Sequence, residues 1–216
     1  MKIVKEDVVT KALELLDEVG LEGLTMRNLA DALKIQAPSL YWHFANKSAL
    51  LDGMADALLE HVGRGVSRGE QWEDRLCRIA GELRQALLSR RDASRVFAGT
   101  YPISENILRV GSLIHECLLD AGMDDRRASW SVFILSHYVI GFSIEEQALA
   151  NVPDEIRQGR DLEADELLAR FPSATVSVRG VTPENADERF AFGLQILVLG
   201  WKALPLSQDS SKAGFR

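Results

Sequence analysis

The segment from about Pro183 to Leu204 is apolar on almost every helical face. Phe190, Ala191, Phe192, Leu194, Ile196, Leu197, Val198, Leu199 and Trp201 leave no continuous polar stripe. A helix apolar all round has to be covered on all sides, and a chain of 216 residues rarely covers a terminal helix that fully by itself. The pattern predicts a homodimer in which this helix and the longest helical stretch, about Asp124 to Ala150, pair with their two-fold mates in a four-helix bundle. The most apolar window, Phe190 to Leu206, is interrupted by Gln195 and Lys202 and is short for a membrane span. A buried helix is expected there, with no membrane partner. Met1 to Val19 mixes acids with apolar residues and has the pattern of an amphipathic helix rather than a signal peptide, so a cytoplasmic protein is expected.

The rest of the chain is helical in period, and an all-α fold is expected. Val9, Ala12, Leu13, Leu16 and Val19 fall on one face of a first helix, about Lys5 to Val19, and Gly20 stands where a C-cap is common. Thr25 is a good N-cap for a second helix that buries Leu29, Ala30 and Leu33. Pro38 suits the first turn of a third, only about two turns long. Three short helices with a tight turn between the second and third describe a helix-turn-helix head. Asn46 caps a fourth helix carrying Leu50, Leu51, Met54, Leu58 and Val62. The glycine-rich run Gly63 to Gly69 follows no strand and is assigned as a linker rather than a phosphate cradle. Further helical stripes run from Trp72 to Leu87, from Asp92 to Phe97 and from Ile107 to Ala121, with a turn at Gly99 to Pro102. A weaker, charged helix is expected from Asp154 to Phe171. Only Ala174 to Val181 alternates in the manner of a strand, short and isolated.

Hydrophobic content of 46% supports a sizeable core. The net charge of −7 argues against indiscriminate nucleic-acid binding but not against a specific contact, which depends on the local surface. Residues 1–50 carry six Lys or Arg against seven Asp or Glu, so the head is not strongly basic. Cys77 and Cys117 lie within helical patterns and are expected as buried thiols. Four histidines and two cysteines show no metal-ligand spacing, His115-Glu116 lacks the second histidine of a zinc protease, and no Gly-x-Ser-x-Gly occurs. An enzyme is therefore not expected. A helical enzyme or adaptor that binds a small molecule without DNA stays as the alternative.

Three runs carry a resemblance: Thr25-Met26-Arg27-Asn28-Leu29-Ala30, then Pro38-Ser39-Leu40-Tyr41-Trp42-His43-Phe44, then Asn46-Lys47-Ser48-Ala49-Leu50-Leu51. Together they resemble the DNA-binding head of the TetR family of transcriptional repressors. Ala86 to Asp92, Gly99-Thr100, Gly141 with Glu145-Glu146-Gln147, and Phe192-Gly193-Leu194 extend the likeness into the body, which is similar to the tetracycline repressor subgroup. The resemblance implies a ligand-responsive repressor: a homodimer on a palindromic double-stranded DNA operator, released by a small-molecule effector. Activator rather than repressor stays open within that class.

On that footing the DNA contacts fall to Arg27, Ala37, Pro38, Ser39, Tyr41, Trp42, His43 and Lys47. Arg27 suits a bidentate guanine contact, and Ser39, Tyr41 and His43 suit phosphates. Trp42 suits a sugar or thymine methyl, and Lys47 adds charge at a helix start. Leu40 and Phe44 lie on the opposite face and are expected in the core. Ala37 stands where the subgroup has an amide that reads a base, so a different operator is expected. In the subgroup the drug arrives as a magnesium chelate held partly by a histidine. That place is Phe97 here, and no metal or cofactor is expected. The effector pocket is assigned to Ile79, Leu83, Phe97, Phe133, Tyr138 and Phe142, with Thr100, His137 and Glu145 as polar anchors, suiting a largely apolar, ring-containing ligand. The division expected is a head over 1–46, a connecting helix over 47–66, a ligand-binding and dimerisation body over 67–206, and a flexible tail over 207–216.

Overall fold

A computed structural model describes residues 3–100, 103–150, 152, 164–165 and 167–204. The expected tail and most of the expected helix from Asp154 to Phe171 lie outside them, as do Tyr101 and Pro102 of the expected turn. The described residues are helical, with no strand among them. The helices are α1 (Lys5–Gly23), α2 (Met26–Leu33), α3 (Ala37–Tyr41), α4 (Lys47–Leu58), α5 (Trp72–Leu88), α6 (Ala93–Ala98), α7 (Glu105–Asp120), α8 (Asp125–Ala150), α9 (Pro172–Arg179) and α10 (Ala186–Ala203).

Local chemistry sets most of these boundaries. Gly20, at φ +70°, breaks α1, and one further turn follows before the chain leaves at Leu24. Only glycine adopts that backbone readily, and a Cβ there would stand 3.1 Å from both the Arg91 guanidinium and the Asp92 carboxylate. The Thr25 hydroxyl accepts from the Asn28 amide at 3.1 Å, and the Asn46 side chain accepts from the Ala49 amide at 2.9 Å, so both expected N-caps are made. The fourth helix is shorter than its apolar stripe suggested, ending at Leu58, with Val62 carried by the turns beyond.

The strand-like stretch Ala174 to Val181 is a correction: most of it is α9. Pro172 starts the helix in its first turn, where no amide is lost. The alternating Val176 and Val178 stay exposed, and a single short segment with no partner gains no ladder of hydrogen bonds as a strand.

Two cores organise the chain. The head core gathers Val8, Ala12 and Leu16 of α1, Leu29 of α2, Leu40 and Phe44 around α3, and Leu50 and Met54 of α4. Val96, from α6, is fully buried in this cluster. The body core joins Leu59 and Val62, just past α4, to α5, α7, α8 and α10. α4 thus starts in one core and leads into the other.

On α10, Phe190, Leu194, Val198 and Trp201 form one buried stripe. The other face carries Phe192, Ile196 and Leu199, which are 64%, 53% and 55% exposed. Trp130, Phe133 and Ile134 of α8 are exposed too. One chain covers a single face of its last helix. No helix among the described residues is long and apolar enough to cross a membrane.

Cys117 is buried, Cys77 is half-buried, and both are free thiols. Burial pushes both thiols above their ordinary range, with nearby carboxylates adding to it. Cys117 is therefore expected to resist iodoacetamide at neutral pH in the native protein and to react fully on unfolding, as read by intact mass.

Candidate nucleic-acid interface and effector cavity

The short helix α3 presents a polar and aromatic face outward. Leu40 and Phe44 are in the head core, whereas Tyr41 and Trp42 are 53% and 90% exposed. An indole so open to water loses hydrophobic free energy in the isolated protein. Pro38, Ser39 and Arg27 are exposed as well, and Arg27 makes no ion pair among the described residues. His43 is half-buried. Ala37 is half-buried and packs partly against the head core. Lys47 is also half-buried: its ammonium donates to the Leu21 carbonyl at 3.0 Å, tying the start of α4 to the end of α1. That structural bond was not legible in the sequence, and it leaves two further donors on the ammonium.

In the body, α5, α6, α7 and α8, with Leu59 just past α4, wall a cavity of about 610 Å³. Of the residues assigned to the pocket from sequence, Leu83, Phe97, Thr100, Phe133 and His137 line it, and Ile79, Tyr138, Phe142 and Glu145 do not. Ile79 is fully enclosed in the body core. Tyr138 and Phe142 belong to an aromatic cluster with Phe190, at centroid distances of 5.9, 5.4 and 5.3 Å. The Tyr138 hydroxyl donates to the Phe190 carbonyl at 2.7 Å, and burial pushes its pKa up. Arg84 lies 4.8 Å above the Phe190 ring and donates through two nitrogens to Glu146, at 2.8 and 2.7 Å. Glu145 is exposed.

The mixture has a simple origin. Phe133, His137 and Ile140 follow one i, i+4, i+7 stripe of α8, while Tyr138, Phe142 and Glu145 follow a second, rotated by about 140°. Both stripes are apolar enough to pass for a pocket wall. Sequence reasoning missed Ile107, Val110 and Ile114, the stripe by which α7 faces the cavity, and the polar His115, Ser129 and Ser136. Ile107 and Ile114 carry the same signal as any core stripe. His115 is set by tertiary contact, with its Nε2 3.4 Å from the Asp125 carbonyl.

The residues do not fit a bound divalent cation. Among the described residues, the only ionisable side chains on the lining are His115 and His137. Phe97 has no donor atom, Thr100 offers a single neutral oxygen, and Glu145 is elsewhere. A magnesium ion requires hard oxygen ligands in octahedral array.

The cavity walls are fastened to the head. Arg109 of α7 donates to the Val62, Leu59 and Glu60 carbonyls at 2.6, 2.7 and 3.1 Å, gripping the chain where α4 ends. Asn106 donates to Asp56 of α4 through its backbone, at 2.7 Å, and its side chain, at 3.0 Å. At α6, Asp92 accepts from the Leu21 amide at 3.0 Å, and Arg95 pairs with Glu22. Arg90 pairs with Asp17 at 2.7 Å. Leu59 and Phe97, both on the lining, thus sit at the ends of elements that carry the head.

Comparisons with known proteins agree on both parts. Residues 8–54 match the model of the bacterial regulatory proteins of the tetR family, and residues 67–204 match the tetracyclin repressor-like C-terminal domain. The chain is 37% identical to the tetracycline repressor protein class G of Vibrio anguillarum, over 94% of this chain and 95% of that one. A TetR variant of Acinetobacter baumannii AYE, solved in complex with minocycline, superposes with a TM-score of 0.74 at 36% identity, covering 96% of this chain and 100% of that one. BioQ, solved with its natural double-stranded DNA operator, gives a TM-score of 0.71 at 28% identity, covering 94% and 100%. With head and body matched in order on one chain, this protein belongs to the TetR family of transcriptional regulators, with a helix-turn-helix DNA-binding head.

Proposed function

We propose that this chain is a repressor that binds a palindromic operator as a homodimer and is released by a small, largely apolar, ring-containing molecule. The observation that carries the reading is the fastening of the cavity to the head: α7 holds the end of α4 through Arg109, and α6 holds α1 through Asp92 and Arg95. A molecule that spreads the walls acts directly on the elements that set the angle of α3. The exposed face of α10, with Phe192, Ile196 and Leu199, supports a two-fold partner there. Two α3 helices then reach successive major grooves about 34 Å apart. Each head offers Tyr41, Trp42, Ser39 and Arg27 to the duplex, with His43, Lys47, Pro38 and Ala37 at the margins of that face.

Release follows from linkage. The effector binds the DNA-incompetent arrangement more tightly, and operator DNA lowers effector affinity by the same factor. A gel shift with DNA flanking the protein's own gene, repeated with a panel of ring compounds and with tetracycline plus magnesium, tests the reading. A shift released by an apolar ring compound supports it. Release by tetracycline with magnesium alone would replace the ligand class, and no shift at low salt with any flanking fragment would count against the repressor.

A sharper probe is Gly111, which lines the cavity and where an added Cβ meets nothing within 4 Å. Gly111→Phe adds a ring on the cavity wall at a position with room for its Cβ. It is expected to raise the effector concentration needed for release at least tenfold, measured against its own effector-free operator complex. An unchanged concentration would place the effector elsewhere.

A further inference from the structure

We propose that the cavity selects effectors that donate hydrogen bonds, namely ring systems carrying free hydroxyl groups, over those that only accept them, such as aryl ethers and quinones. This rests on the reading of the cavity as the effector site. Its walls are mostly apolar, so the few polar atoms decide orientation and specificity. Three of them are hydroxyls bonded to carbonyls close by in the chain: Thr100 to Phe97 at 2.7 Å, Ser129 to Asp125 at 2.7 Å and Ser136 to Val132 at 2.8 Å. A carbonyl oxygen has no proton to give, so each hydroxyl supplies its only one. What each then offers the cavity is oxygen lone pairs.

His115 completes the pattern. Its Nε2 faces the Asp125 carbonyl at 3.4 Å, the Ser129 oxygen at 3.5 Å and the Asp125 carboxylate at 3.9 Å. All three are acceptors, because the Ser129 proton is already committed to Asp125. We assign the ring proton to Nε2, which pairs it with these acceptors and leaves Nδ1 of the neutral imidazole as an acceptor. Nδ1 makes no hydrogen bond among the described residues. Ser112 and His137, also on the lining, make no hydrogen bond among the described residues and can act either way.

A buried ligand hydroxyl thus finds partners on several sides. An ether or quinone oxygen beside Thr100, Ser129, Ser136 or His115 meets lone pairs, and finds a donor only at Ser112 or His137, so it is paired at fewer positions. Sites built on fixed hydrogen-bond partners discriminate in this way far more strongly than apolar walls do. The absence of a carboxylate from the described lining favours neutral hydroxyls over ammonium groups as the donors.

The test is calorimetric titration of the full-length protein with matched aromatic probes: trihydroxystilbene, its trimethyl ether, dihydroxyanthracene and anthraquinone. The hydroxylated member of each pair is expected to bind at least tenfold more tightly. The variant Thr100→Val/Ser129→Ala/Ser136→Ala is expected to shrink that ratio at least tenfold by weakening the hydroxylated probe alone. The hydroxyls it removes donate to nearby backbone carbonyls, and Ser129 has in addition only a long 3.5 Å contact with His115, so their loss costs the fold little. Ethers or quinones binding as tightly as the hydroxylated probes would overturn donor selection and leave the cavity as the site. A preference that survives the triple variant would also overturn it. Failure of every probe to bind would sink the cavity reading and this inference with it.

Discussion

Tyr41→Ala/Trp42→Ala is expected to lower operator affinity by about 30- to 1000-fold, from roughly 1–2 kcal/mol of lost contact in each of two half-sites. The thermal midpoint is expected to stay within a degree or two, because both side chains project from the head core rather than into it. The measurement pairs a binding isotherm at fixed salt with a melting curve. Loss of stability alongside loss of binding would mean that one ring packs inward in solution. Retained affinity would remove the outer face of α3 from the interface. Leu40→Ala is the contrast: it leaves the outer face intact and opens a cavity in the head, at a cost of about 2–5 kcal/mol.

The second large effect concerns Arg109. The Arg109 guanidinium bonds three backbone carbonyls around the end of α4; those of Leu59 and Glu60 also accept from the Val62 amide and the Arg64 side chain, at 3.1 and 2.6 Å. In Arg109→Ala those acceptors lose a charge-assisted partner in a half-buried place, a loss of about 3 kcal/mol. The midpoint is expected to fall by roughly 6–12 °C for a chain of this size. The more informative readout is the coupling between effector and DNA. With the grip gone, α7 and α4 respond to the cavity separately, so effector is expected to bind while its effect on operator affinity shrinks severalfold. An unchanged coupling would assign transmission to the contacts of α6 with α1 instead.

How much of this was legible in the sequence depended on whether the signal was local. Helix starts at Thr25, Pro38 and Asn46 were clear because a cap acts within three residues of itself. The division of α3 into inner Leu40 and Phe44 and outer Tyr41 and Trp42 was clear because helical period alone assigns faces. Ala174 to Val181 misled because alternation says nothing about whether a partner strand exists. The cavity was half legible. Leu83, Phe97 and Thr100 could be placed, but the rotation of α8 about its axis is fixed by packing against α5 and α7, and a shift of one residue exchanges one stripe for another. Lys47, Arg109 and His115 take their roles from carbonyls that only the fold brings near, and no local pattern marks them.

Val96 carries a last consequence. It belongs to the body by chain position and to the head by packing, fully buried in the head core, where α6 packs against α4. Heads of this kind are therefore not freely interchangeable modules. A chimera that joins residues 1–66 of this chain to a relative's body inherits whatever side chain that body presents at the Val96 position. A larger residue there would wedge the graft, and a smaller one would leave a void in the head core. Recombination that respects the fold moves the α6 contact together with the head, although some thirty residues of sequence lie between them.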